Sequence, residues 1–209
     1  MTAGTEVRTP ARPTRARRLG GVERNELLTV ATASVLTILL LAEGVTLLDM
    51  HGLLREHMFI GLVLIPPVLL KLASTGYRFA RYYTGAPAYR KKGPPRPLLR
   101  LLAPVLVAST AMIFFSGVWL LLLGHHSDFV LALHKVSFIV WSGVFAAHFL
   151  AYLPTALRSL AGVARAGRPG ARAGGSRAAA AVALTSVGAG LVVAIELLSR
   201  IGAFHGRSF

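Results

Sequence analysis

Two histidines, His134 and His148, stand 14 positions apart on an uninterrupted apolar run over residues 129–153. In a helix, steps of about 100° return the second side chain to within about 40° of the first, roughly 21 Å further along the axis. One face of one apolar helix therefore carries two imidazoles. Such groups bind metals, relay protons or tie helices together, and ionisable side chains inside a bilayer mark sites of this kind because isolating them there is costly. A weaker copy of the pattern lies upstream, where His57 is followed 14 positions later by Lys71.

The elements that must position these residues follow from composition. The chain of 209 residues is 54% hydrophobic, with a mean hydropathy of +0.61, yet carries a net charge of +15. Apolar and basic residues are segregated: five apolar stretches of spanning length, 27–48, 58–77, 101–123, 129–153 and 178–198, alternate with polar, Arg-rich connections. The expectation is an all-α polytopic membrane protein with five transmembrane helices. The first stretch reads as an anchor and not a signal peptide, since it is long, follows a basic tail and ends in Asp49-Met50-His51 without a small-residue cleavage site.

Eighteen of the 23 basic residues fall in the amino-terminal tail, the 78–100 connection and the 158–177 connection, which alternation of five spans places on one side. Arg55, Lys135, Arg200 and Arg207 fall on the other. The positive-inside rule then puts the amino terminus in the cytoplasm and the carboxyl terminus outside. A pI near 11.6 in a soluble chain would point to nucleic acid, but here the charge flanks spans and faces the anionic headgroups of the lipid bilayer, so no nucleic-acid partner is expected. The Arg, Ala and Gly bias is that of a GC-rich bacterial genome, which makes the bacterial plasma membrane the expected address. With no cysteine, disulfides, thiolate-held iron-sulfur clusters and Cys nucleophiles are excluded.

Four regions are expected: a disordered basic arm over 1–23, a four-helix membrane bundle over 24–160, a flexible basic linker over 161–177, and over 178–209 a fifth transmembrane helix with a short tail. The fifth span, with its Ala run and Gly188-Ala189-Gly190, has a narrow surface suited to close packing but no histidine, and is expected at the periphery of the site. Spans two and four run in the same direction, so His57 and His134 should lie at similar depth near the outer surface, and Lys71 and His148 near the inner one. Two histidines facing each other across a bundle are what six-coordinate haem iron needs. Gly61 and Gly143 are read as removing bulk where a flat ring would press. Pro66-Pro67 is read as a kink in span two.

Over residues 27–157 this pattern resembles the four-helix cytochrome b domains of membrane oxidoreductases, including the ferric reductase-like group, on the strength of His57, His134 and His148. The resemblance implies a bundle holding one or two b-type haems, with histidine pairs on two parallel helices as iron ligands. Lys71 stands where the fourth ligand would be. It implies one haem b between His57 and His134, and an inner site at His148 that is five-coordinate, Lys-ligated or empty. On the residues alone, Lys71 also reads as a side chain snorkelling to the cytoplasmic headgroups, and a histidine near a helix end as simply hydrated. Glu43 and Glu196 read as buried carboxylates that carry protons or bond a nearby hydroxyl.

Just inside span two, the 74–85 stretch is read as a polar-aromatic loop. Tyr77, Arg78 and Arg81 there form either an interfacial belt or a cradle for haem propionates, a quinone headgroup or an anionic lipid. No flavin or nicotinamide fingerprint follows a strand, so electrons would come from a redox partner subunit or quinone. The expected function is a membrane b-type haem subunit for electron transport, part of an oxidoreductase and not a stand-alone enzyme. A haem-free scaffold or anchor is the competing class, and a small-solute transporter the third.

Overall fold

A computed structural model describes residues 20–91, 97–165 and 171–204. Its elements are α1 (Gly21–Thr46), α2 (Leu54–Tyr83), α3 (Pro87–Arg90), α4 (Pro97–Leu123), α5 (Asp128–Arg165), α6 (Ala171–Glu196) and α7 (Leu198–Ala203), with no strand among the described residues. Five of them, α1, α2, α4, α5 and α6, are long and apolar enough to cross a membrane. The chain is an all-α membrane protein.

These segments are helical because a bilayer offers backbone groups no partner, and the helix satisfies each within its own segment. Side-chain hydroxyls obey the same constraint. Thr32, Ser109, Ser116 and Ser137 each donate to the carbonyl four residues back, at 2.7–2.8 Å. Turns fall where the sequence permits them. Asp49 accepts the Gly52 N–H at 3.0 Å between α1 and α2, and Gly124 closes α4 with φ +69°, a conformation that costs a side-chain-bearing residue.

Packing divides the helices into two groups. α2 lies against α1 and α6, and α4 lies against α5. The groups meet over a shorter α2–α4 contact and through α7, which touches both α2 and α4. Leu62 and Val63 of α2, Leu121 of α4, Ala194 of α6 and Ile201 of α7 form the buried cluster at that junction. The helices that carry the histidines, α2 and α5, are thus held side by side through α4 and not by close packing on each other.

Several sequence expectations change. The fifth span gives no side chain to the histidine pair, yet it is integral to the packing: α6 lies along α2 and α1, with Ala183 and Ala194 fully buried. The cause lies in α2, where Pro67 has no N–H to give the Val63 carbonyl. Gly190 sits directly on that carbonyl, so closely that a Cβ at position 190 would collide with it. α2 remains helical through both prolines. The 74–85 stretch is no loop, because α2 continues to Tyr83 and places Tyr77, Arg78 and Arg81 on its last turns. The linker is shorter than expected: residues 161–165 extend α5 and 171–177 open α6, both rich in Ala and Arg, which favour helix. Gly21–Glu23 of the expected arm also belong to α1, while residues 1–19 lie outside the described ones.

Candidate functional site

His57, in the first turn of α2, and His134, in the second turn of α5, face each other with ring centres 6.2 Å apart and planes at 87°. Each ring is held from behind through Nδ1. His57 Nδ1 lies 2.8 Å from Glu43 Oε1 and 3.2 Å from the Thr46 hydroxyl, both on α1. The Thr46 hydroxyl donates to the Glu43 carbonyl at 2.6 Å, so toward His57 its oxygen can only accept. His134 Nδ1 lies 3.1 Å from the Ile113 carbonyl and 3.0 Å from the Ser116 hydroxyl, both on α4. Ser116 likewise spends its proton on the Met112 carbonyl, at 2.7 Å.

Acceptors behind both rings fix the proton on Nδ1 and leave the Nε2 lone pair of each for a ligand. This is the arrangement that metal-binding histidines adopt, with the far nitrogen donating to a carboxylate or carbonyl. Metal–imidazole bonds run about 2 Å, so two rings on opposite sides of one ion stand roughly 6 Å centre to centre. The spacing of His57 and His134 fits that requirement. Among the described residues no group of three His, Cys, Asp or Glu side chains is placed to hold a bare metal ion. A site with two protein nitrogens suits an ion whose remaining ligands come from a macrocycle, and the residues fit haem iron on that ground.

No family model, curated protein or solved structure matches the chain.

The glycines behave differently from the expectation. Gly143 is nine residues beyond His134, half a turn round α5, and is exposed on the opposite side, so it makes no room for a ring near the histidines. Gly61 faces Glu43, with 3.7 Å between a Cβ there and Oε1. The glycine beneath a ring is Gly117 of α4, where a Cβ would stand 3.2 Å from His134 Cε1. Glu43, Thr46, Ile113, Ser116 and Gly117 complete the site. Of these only Glu43 is marked in the sequence, as a carboxylate in an apolar run.

Deeper along α5, Phe138, Trp141, Phe145 and Phe149 form a stacked column on the face that carries His134 and His148, with successive ring centres 6.3, 4.6 and 6.0 Å apart. His148, at the far end, is half-buried and within electrostatic reach of Lys71. The Lys71 ammonium donates to the Thr29 carbonyl of α1 at 2.9 Å. Thr29, Ser74 and Asn25 extend this polar patch, Asn25 donating to the Ser74 carbonyl at 3.1 Å. Tyr77, Arg78 and Arg81 are exposed. Tyr77 lies edge-on to buried Tyr89 of α3, ring centres 6.1 Å apart, and burial pushes the Tyr89 phenol above its ordinary pKa. They are separated from the His57–His134 site by most of α2. Glu196 is exposed at the end of α6, not buried. His125 and His126 each serve the α4–α5 turn, bonding the Leu123 carbonyl and Asp128 at 2.8 and 2.7 Å.

Proposed function

We propose that the protein is a membrane b-type haem subunit in which His57 and His134 would hold the iron, serving electron transfer within a larger redox system. The observation that carries the reading is the pair of Nδ1 anchors, a carboxylate behind one ring and a carbonyl behind the other, with the two ring centres 6.2 Å apart. Bound haem would supply one-electron exchange between ferric and ferrous iron. The chain's own residues set tautomer and ring orientation. His148 and Lys71 belong to a separate patch at the other end of the bundle. Tyr77, Arg78 and Arg81 there offer donors to an anionic lipid or a quinone headgroup, and a redox partner would dock at either membrane surface. The excess of basic residues on one side supports a cytoplasmic amino terminus, and the compositional bias supports a bacterial plasma membrane.

A reduced-minus-oxidised visible spectrum of the purified protein tests the reading. Low-spin b-type bands are expected in wild type, and His57→Ala or His134→Ala should remove most of them while leaving membrane insertion intact. Full haem retention in both variants would overturn the assignment. The competing reading is a haem-free scaffold in which the Glu43–His57 bond ties α1 to α2. It requires a wild type with no haem bands and a His57→Ala variant that loses thermal stability by about 1–3 kcal/mol, the cost of leaving a half-buried carboxylate without its partner.

A further inference from the structure

The two sides of the His57–His134 site are chemically unequal. Behind His134 stand neutral acceptors, the Ile113 carbonyl and the Ser116 hydroxyl. Behind His57 stands a carboxylate, Glu43 Oε1 at 2.8 Å, with the two side chains only 15% and 18% exposed. The second carboxylate oxygen, Oε2, is buried without a hydrogen-bond partner among the described residues. The carboxylate is therefore committed to His57 instead of being shared with a cation or a set of donors. Gly61, one turn beyond His57 on α2, faces the carboxylate, and Thr46, one turn beyond Glu43 on α1, braces the same nitrogen.

Resting on the haem reading above, we propose that Glu43 is a positioning residue that gives His57 imidazolate character and thereby holds the reduction potential of the bound iron down. An imidazole whose Nδ1–H is donated to a carboxylate is more electron-rich at Nε2 than one bonded to a carbonyl. It favours the higher positive charge of ferric over ferrous iron. The negative charge of the carboxylate adds to this, and acts more strongly in an apolar bundle than in water. His134 lacks both contributions, so its role is to ligate and that of His57 is to ligate and tune.

The test uses the purified full chain with its haem: stoichiometry, low-spin bands, the ferric electron paramagnetic resonance spectrum and the midpoint potential, for wild type, Glu43→Gln and Glu43→Asp. Glutamine keeps the shape and an acceptor oxygen but removes the charge. Glu43→Gln is expected to keep haem content and low-spin bands, to move the ferric resonance toward that of two neutral imidazoles, and to shift the reduction equilibrium at least tenfold toward ferrous iron, about 59 mV for one electron. Glu43→Asp, which restores the charge one methylene away, should return more than half of that shift. A loaded Glu43→Gln protein with the wild-type potential and resonance would overturn the proposal. Should Glu43→Gln fail to hold haem, Glu43→Asp decides: a potential and ferric resonance shifted part of the way toward those of two neutral imidazoles uphold it, and wild-type values, or loss of haem there too, reduce Glu43 to a structural tie. A wild type without haem bands would instead remove the haem reading itself, and this inference with it.

Discussion

At the scale of single residues, the site joins groups of very different legibility. The fourteen-residue interval puts His134 and His148 on one face because the helical period is fixed, and the same arithmetic applied to His57 and Lys71 brings two histidine-bearing faces into register. The residues behind the rings carry no such signal. Ile113 contributes a main-chain carbonyl, which no sequence pattern marks, and Ser116 is one of several hydroxyls in apolar helices. Gly117 matters only because α4 packs closely on α5, and Gly143, placed on the wrong side by nine residues of helix, looked equally suitable by position alone. A substitution separates the two glycines. Gly117→Leu would add three carbons to a Cβ already 3.2 Å from His134 Cε1, forcing the ring off its Ser116 and Ile113 bonds, whereas Gly143 has open space around it. Low-spin haem absorbance per mole of protein should fall by more than half in Gly117→Leu and stay near wild type in Gly143→Leu. Equal retention in both would mean that Gly117 does not support the ligand.

At the scale of elements, hydropathy located all five spans but not their ends or their neighbours. A spanning run reports where the bilayer is, and a helix has no reason to stop there. α2 continues past its apolar core to Tyr83, and α5 continues to Arg165. The contact between α2 and α6 was equally hidden, although both of its halves were visible: Pro66-Pro67 as a lost hydrogen bond and Gly188-Ala189-Gly190 as a narrow surface. What the sequence did not reveal is that one answers the other, with Gly190 set on the Val63 carbonyl that Pro67 leaves free. Gly190→Leu should drive α6 from α2 and destabilise the bundle by about 1–3 kcal/mol, as overpacking a close contact does. Gly188→Leu, at a position with open space, should cost far less. Thermal unfolding of the two variants in detergent measures the difference.

For the whole molecule, the segregation of charge bears on which side of the membrane the site faces. On the orientation proposed above, with the three Arg-rich segments in the cytoplasm, the ends of α2 and α5 that carry His57 and His134 would lie toward the extracytoplasmic side, together with α7. Lys71, His148 and the exposed Arg78 and Arg81 then lie toward the cytoplasm. A reporter fused after Phe209 should therefore read as extracytoplasmic, and one inserted in the 166–170 connection as cytoplasmic. The same orientation has a chemical consequence. A haem held by His57 and His134 would lie within the first two turns of α2 and α5 and, at 1.5 Å per residue, roughly 20 Å of α5 would separate it from His148. An impermeant reductant should reduce it quickly in right-side-out vesicles and slowly in inverted ones, and detergent should abolish the difference. If both reporters read as expected but reduction is faster in inverted vesicles, the iron is held at the Lys71–His148 end, and the assignment of ligands to His57 and His134 fails while the topology stands. If the reporters themselves are reversed, the positive-inside assignment fails, and the site, still between α2 and α5, faces the cytoplasm.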